Sequence, residues 1–495
     1  MKETLSMKHY SKLLTAILLP ATMTEATAAA SKNGKPNIIF VFADQWRKHS
    51  LGFRGEDPVQ TPNLDKFASW AFSFDNAVSC SPLSSPNRAC LMTGKYAINH
   101  GVIANKLPLA ADENTLGSLC KAAGYTTAFI GKWHLNGEID QVRDPSRRHG
   151  FDLWVQSLGH NPFDQHYIVG ANKFTTNIKN KWAPTFETET AIEYISKIKD
   201  DDKPFCVVIS YNPPHTSGGI GFEERYQPGK RFNGKIRYGY GYGGPKEYED
   251  LYTGNDYVKN PIRGNVMPVG EAQDESGPVV PGYFGAITAI DNDFGNLMKY
   301  LEENLLLDHT IILFTADHGE MMGSHGLMTK SVWFEESVGV PFMIGWKGKS
   351  IAKREKAVFN SIDVLPTLLG MLDIPAPKDI DGTDFSSMVL GSRFKAPKYT
   401  LLSLHNWRAL YSERYTYVLL AETGVNHKFT HNGEVLYDRL KDPLQRSPIF
   451  RGSGQDKLMN KLKGELAAML KAEDDTFMTK FMNSLGHDKQ EAGPP

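Results

Sequence analysis

The chain is poor in cysteine: Cys80, Cys90, Cys120 and Cys206 stand alone among 495 residues. Four thiols in a chain of this size do not make a disulfide framework, and none has metal-finger spacing. Three fall within apolar segments and read as buried hydrophobes. An excess of one charge is missing too. With 55 basic and 56 acidic side chains the net charge is −1, which removes the bulk electrostatic case for nucleic acid or an anionic membrane. No apolar run reaches the roughly 18 residues of a spanning helix. What is left is an ordinary globular composition, 41% apolar and 22% charged. It suffices for a large core, in two or three domains or one large domain with a satellite.

The N-terminal end carries a processing pattern. Lys8 and Lys12 bracket the approach to the apolar run Leu13 to Leu19, and small residues follow, ending Ala26-Thr27-Ala28-Ala29-Ala30. That order is expected of a secretory signal peptide over residues 1–30, cut near Ala30, and it predicts a periplasmic or secreted protein. Met7 as the start would give a more conventional basic end. No cysteine near the cut points to a lipid anchor.

Four apolar runs show little alternation: Asn37 to Ala43, Tyr125 to Ile130, Phe205 to Ser210 and Thr310 to Ala316. They are expected to be parallel strands covered on both faces. Helical spacing lies between them, in Leu116, Leu119, Cys120 and Ala123 before Gly124, and in Phe284, Ile287, Ile290, Phe294, Leu297 and Leu301. The expectation is an α/β domain over residues 31–390, its central sheet mostly parallel and sandwiched by helices. Residues 391–495 are expected to form a smaller α+β subdomain with an antiparallel sheet. Strands are predicted over Leu401 to Leu404 and Arg414 to Leu420, a hairpin-like run over Gly433 to Asp438, and an amphipathic helix over Leu458 to Leu470. The Gly- and Tyr-rich stretch 216–282 reads as an insertion, either a functional lid or a disordered loop.

Polar residues follow the end of each apolar run: Asp44-Gln45, Lys132 with His134, His215, and Asp317-His318. Ligand sites in open α/β sheets collect at the carboxyl ends of strands, so the four sets are expected to converge on one edge. A fifth motif is Ser84-Ser85-Pro86-Asn87-Arg88, closing at Thr93-Gly94. Ser84 reads as an N-cap, with Pro86 in the first helical turn and free N–H groups turned toward an anion.

Together these motifs resemble the type I sulfatases of the alkaline phosphatase superfamily, in which Cys or Ser is followed by Pro two and Arg four residues on. Cys80-Ser81-Pro82 fails that register, because Ser84 rather than Arg stands four residues after Cys80. Gly131-Lys132-Trp133-His134, Pro213-Pro214-His215 and Ala316-Asp317-His318-Gly319-Glu320 resemble further family motifs. Lys330, ahead of Trp333-Phe334-Glu335-Glu336, occupies the place of the second active-site lysine. The resemblance spans about Pro36 to Asp442. It implies a serine-type member in which Ser84 becomes formylglycine through an iron–sulfur radical maturase, its hydrated aldehyde attacking a sulfate ester.

The resemblance also implies roles. Asp44, Gln45, Asp317, His318 and residue 84 would hold a divalent cation, Ca²⁺ with Mg²⁺ as the alternative, both suited to hard oxygen donors. Gln45 replaces a commoner Asp, and His318 stands where many members have Asn. Arg88 would help to activate residue 84. Lys132 and Lys330 would hold the sulfuryl charge, His215 would protonate the leaving oxygen, and His134 would bond the diol and collapse the sulfated intermediate. Trp133 is expected to pack the motif. Lys132, His215, Lys330, Trp407 and Arg408 are expected to contact substrate, a sulfated saccharide in preference to an aryl or choline sulfate. Two readings stay open beside it: a phosphate or phosphonate monoester hydrolase on the same fold, and a non-catalytic sulfated-glycan-binding protein.

Overall fold

The computed structural model describes residues 34–137, 142, 144–170, 174–216, 231–232, 235–236, 241–267, 277, 279–421 and 428–482. The expected signal peptide and much of the 216–282 insertion lie outside them. The strands, in chain order, are β1 Asn37–Asp44, β2 Phe72–Val78, β3 Thr126–Lys132, β4 Leu153–Leu158, β5 His166–Val169, β6 Phe174–Asn177 and β7 Phe205–Pro214. A short pair follows, β8 Arg231–Phe232 and β9 Lys235–Ile236, then β10 Thr310–Ala316, β11 Phe342–Trp346 and β12 Lys353–Asn360. Beyond them come β13 Tyr399–Leu404, β14 Trp407–Ser412, β15 Tyr415–Leu420 and β16 Glu434–Asp438.

Ten strands form the main sheet in the order β12-β2-β11-β10-β1-β7-β3-β4-β5-β6. The four uninterrupted apolar runs are its centre, and β10, β1, β7 and β3 pair in parallel. Antiparallel pairing is confined to the neighbours of β11 and β5. Their register places the polar sets. Ala43 lies opposite Ala316 and Tyr211, Gly131 lies opposite Ser210, and Asp44 meets Pro214 across a bulge. The residues that end these strands therefore share one edge. Three runs reach further than the sequence suggested: β1 to Asp44, β3 to Lys132 and β7 to Pro214.

Helices Ala183–Ile198 and Val280–Glu303 pack on β7, and helix Leu116–Ala122 packs on β3. The six apolar positions expected along the longest helix, Phe284 to Leu301, are all fully buried. Each such side chain contributes about 1.5–3 kcal/mol relative to exposure. All four cysteines are free and buried, as hydrophobes would be.

A second core belongs to the four-stranded antiparallel sheet β13-β14-β15-β16 and helix Asp456–Ala472. Met321, Leu327, Val332, Trp333, Phe334 and Val338 also enter that core. The segment carrying Lys330 is thus seated on the C-terminal sheet as much as on the main one. Part of the Gly/Tyr-rich insertion is packed as well. Tyr242 and Tyr252, in its stretch 241–267, are buried.

Candidate active site

Asp44 closes β1 and is fully buried. The chain then turns through Gln45 at φ +68°, and the Gln45 N–H donates to Asp317 Oδ1 at 3.0 Å. Asp317 follows β10 directly, and its Oδ1 also accepts from the His318 N–H at 2.8 Å. Gly319 is required next: a Cβ there would lie 2.0 Å from the Glu336 carbonyl oxygen. Gly131 is required for the same reason, since its φ is +109° and its Cβ would meet Ser210 O at 2.0 Å. That close approach of β3 to β7 brings Lys132 against Asp44, with which it forms a buried ion pair.

Ser84 is the first residue of helix Ser84–Thr93, and extended Leu83 takes the N-cap position. The expected capping serine is thus displaced by one. Its hydroxyl instead points into the site, 3.1 Å from His318 Nε2 and 3.4 Å from Asp44 Oδ2. The helix start offers fewer free N–H groups than expected. Ser85 N–H donates to Asn105 Oδ1, Pro86 has none, and Asn87 N–H donates to Leu83 O. Positive charge comes from side chains. Arg88, 1% exposed, donates to Asp44 Oδ2 and Asp317 Oδ2, both at 3.0 Å, and to Lys132 O and Ser210 Oγ. A guanidinium locked on two carboxylates serves as a brace, and its planar fork suits that role better than a lysine.

The other two expected histidines lie around this centre. His215 donates Nδ1–H to Thr216 O at 2.7 Å, which leaves its Nε2 to accept from Lys330 Nζ at 3.0 Å. Lys330 also donates to Gln45 Oε1 at 2.6 Å. Burial, then the charge of Lys330, holds the His215 imidazole well below its ordinary pKa. His134 adopts φ +60° and is lowered to about 2, by burial first and by Lys132 and Arg88 next. Its backbone oxygen accepts from Ser85 Oγ at 2.7 Å, beside the helix start.

The side chains fit a hard divalent cation. Ligand atoms of Asp44, Asp317 and His318 lie within 4.8 Å of one another. His318 donates Nδ1–H to Gly319 O at 3.0 Å, so its Nε2 lone pair faces Asp44 Oδ1 at 3.4 Å. Asp44 Oδ1 is buried and has no hydrogen-bond partner. Acceptors turned toward one another in a buried pocket could hold a positive ion between them. Burial, and then the adjacent Asp44 carboxylate, pushes Asp317 up to about 7, which is the same conflict expressed in protons.

Ser84, Arg88, Lys132, His134, His215, Lys330, Asp44, Gln45, Asp317 and His318 all come to this one sheet edge. Trp407 and Arg408 do not act as expected. They open β14, a strand that was not foreseen, where Trp407 is 1% exposed and packs edge-on against Trp333. Its indole N–H donates to Ser331 O at 3.1 Å, so it steadies the residue after Lys330 and has no face for a sugar. Arg408 pairs with Asp475 and lies over the Phe477 ring, turned to the C-terminal end of the chain. Trp133 packs among Phe129, Phe151 and Trp154 as expected.

Three participants were missed. His160 stacks on His215 at 4.7 Å and bonds Asn212 Oδ1 at 3.0 Å; Lys132, then burial, lowers its pKa to about 4. Tyr242 and Glu320 bind the Gln45 amide. Glu320 stood in plain view after His318-Gly319, but nothing local assigned it a partner. Tyr242 was concealed in a repetitive Gly-Tyr run.

A mostly parallel sheet, a nucleophile-type side chain on buried carboxylates and an imidazole, and three cations around them suit a hydrolase of anionic esters. Comparison narrows the class. A profile of the sulfatase family matches residues 36–374, and one for the C-terminal part of N-sulphoglucosamine sulphohydrolases matches residues 323–472. An ulvan-active sulfatase of Formosa agariphila is 32% identical over 461 residues, covering 90% of this chain and 83% of its own. An endo-4-O-sulfatase of Bacteroides thetaiotaomicron is 26% identical over 510 residues, 90% of this chain and 94% of its own. A solved Bacteroides fragilis chain described as a sulfatase superposes with a TM-score of 0.77 at 29% identity, covering 90% of this chain and 98% of that one. The chain belongs to the sulfatase family and is a sulfuric ester hydrolase.

Proposed function

We propose that this sulfatase is an exported, serine-type enzyme that removes O-sulfate from a sulfated saccharide, with formylglycine at position 84 and calcium, or magnesium, as its ion. The observation that carries the reading is the Ser84 hydroxyl lying against His318 Nε2 and Asp44 Oδ2 within a ring of Arg88, Lys132 and Lys330. The saccharide is supported by relatives named for ulvan and for N-acetylglucosamine 6-O-sulfate, 32% and 26% identical.

Asp44, Gln45, Asp317 and His318 would hold the cation, which supplies Lewis-acid polarisation of a sulfate oxygen. Formylglycine, made from the serine by an iron–sulfur radical maturase, supplies a hydrated aldehyde as the nucleophile. The chain's own side chains do the rest. Arg88 holds both carboxylates in place, so neither swings away when substrate arrives. Lys132 and Lys330 present fixed positive potential to the sulfuryl oxygens, and in a buried pocket such charges act strongly. Lys330 Nζ donates to His215 Nε2 at 3.0 Å, and transfer of that proton to the imidazole would arm His215 as the acid for the leaving sugar oxygen. Burial keeps the His134 imidazole neutral, and it would hydrogen-bond the group at position 84.

Peptide mass spectrometry of the native protein tests the modification. The peptide carrying Ser84 should be lighter by the mass of one hydrogen molecule. A protein that turns over sulfate esters with Ser84 wholly unmodified overturns the mechanism. Kinetics on sulfated saccharides, 4-nitrophenyl sulfate and 4-nitrophenyl phosphate test the ester class. Saccharide binding without sulfate release after co-expression with the maturase would favour the binding-protein reading. Export is checked by N-terminal sequencing of the mature protein, which should start close after Ala30.

A further inference from the structure

Gln45 puts an amide where a carboxylate is commoner, and an amide has two unlike ends. Only one of them suits a cation. The structure holds both. Nε2 donates to Tyr242 Oη at 3.0 Å and to the Glu320 carboxylate, while Oε1 accepts from Lys330 Nζ at 2.6 Å. Tyr242 Oη donates in turn to Glu320 Oε2 at 2.6 Å. Glu320 Oε1 accepts from the backbone N–H groups of Met322 and Thr329, both at 2.8 Å. Gln45, Tyr242 and Glu320 are 0%, 1% and 0% exposed. Four donors therefore converge on one buried carboxylate, and its anionic form accepts them all.

Resting on the metal reading above, we infer that Glu320, together with Tyr242, is the positioning element of the cation site. It fixes the Gln45 amide with Oε1 toward the site, and it restores one shell out the negative charge that an amide at position 45 lacks. A flipped amide would set its carbonyl oxygen against the Glu320 carboxylate and turn an N–H toward Lys330. Both contacts are repulsive, so the anion selects the orientation. Groups that orient a ligand in this way are typically worth 10–100-fold in metal affinity.

The test is calorimetric titration of Ca²⁺ into chelator-treated protein, for wild type, Glu320→Gln, Gln45→Glu, the double variant and Tyr242→Phe. Glu320→Gln in the wild-type background should weaken calcium by roughly 10–100-fold. Gln45→Glu sets two carboxylates against each other, so in that background Glu320→Gln should strengthen calcium. The reversal of sign is the signature, because a merely structural role would weaken both. Glu320→Gln acting in the same direction in both backgrounds overturns the inference. Tyr242→Phe should lose affinity in the same direction but by less, and it decides alone if Glu320→Gln does not fold. Unchanged affinity in a folded Tyr242→Phe then overturns the inference. Failure of the wild type to bind either Ca²⁺ or Mg²⁺ would bring down the metal reading, and this inference with it.

Discussion

Removing the His215 ring separates the chemistry from the architecture, because the help it gives depends on the leaving group. Its Nε2 sits 3.0 Å from Lys330 Nζ, and its Nδ1–H is fixed on Thr216 O at 2.7 Å. One edge of the imidazole is therefore aimed into the site, where Nε2 receives the Lys330 proton. A sugar alkoxide is a poor leaving group and needs that proton; a nitrophenolate leaves without it. His215→Ala should slow a sulfated saccharide by roughly 10²–10⁴-fold, the span of general acid help. That is about 2.7–5.4 kcal/mol of barrier at 1.36 kcal/mol per decade. The loss on 4-nitrophenyl sulfate should be tenfold or less, on the order of a single lost hydrogen bond. His215→Gln is the control, since it can return a polar partner to Lys330 without an exchangeable ring proton. It should follow the alanine variant on the saccharide. The assay is sulfate release from the saccharide by ion chromatography beside nitrophenolate absorbance, each as kcat/KM. Equal losses on both substrates would refute the acid role and leave His215 a binding or structural group.

Two further outcomes rest on residues away from the chemistry. Trp407→Ala should destabilise the fold by about 3–5 kcal/mol, as for other buried tryptophans, whereas Trp407→Phe should lose about 1 kcal/mol with the Ser331 bond. Denaturant melts check the stability, and saccharide KM should stay within a few-fold in the Phe variant; a tenfold rise at unchanged stability would return Trp407 to the substrate site. Burial opposes the charge on Glu335, but Arg439 and Lys48 outweigh it and hold the group at about 2 against an ordinary 4.5. A depressed pKa stabilises the fold above the unfolded value and loses that contribution as pH falls from about 4.5 toward 2, about 3 kcal/mol in all. Glu335→Gln should therefore be less stable than wild type at pH 5, and the deficit in urea melts should shrink at pH 3; a constant deficit would refute the assignment.

What the sequence determined by itself was local in origin. An unbroken run such as Ile38 to Ala43 buries on both faces whatever surrounds it, and a polar pair just after it can only sit at a strand end. The tertiary structure alone decided who faces whom. That β10, β1, β7 and β3 are neighbours is set by pairing between distant segments. Gln45 meets Tyr242 across 197 positions and Glu320 across 275, so no spacing rule foretells which end of its amide looks inward. Trp407 and Arg408 show the same limit from the other side. Both residue types suit a sugar site, yet Trp333 and Ser331 draw the indole into the second core and Asp475 draws the guanidinium away. Periodicity is written into neighbouring residues, whereas the partner of a hydrogen bond and the cover over an amphipathic ring come from chain that is far away until it folds.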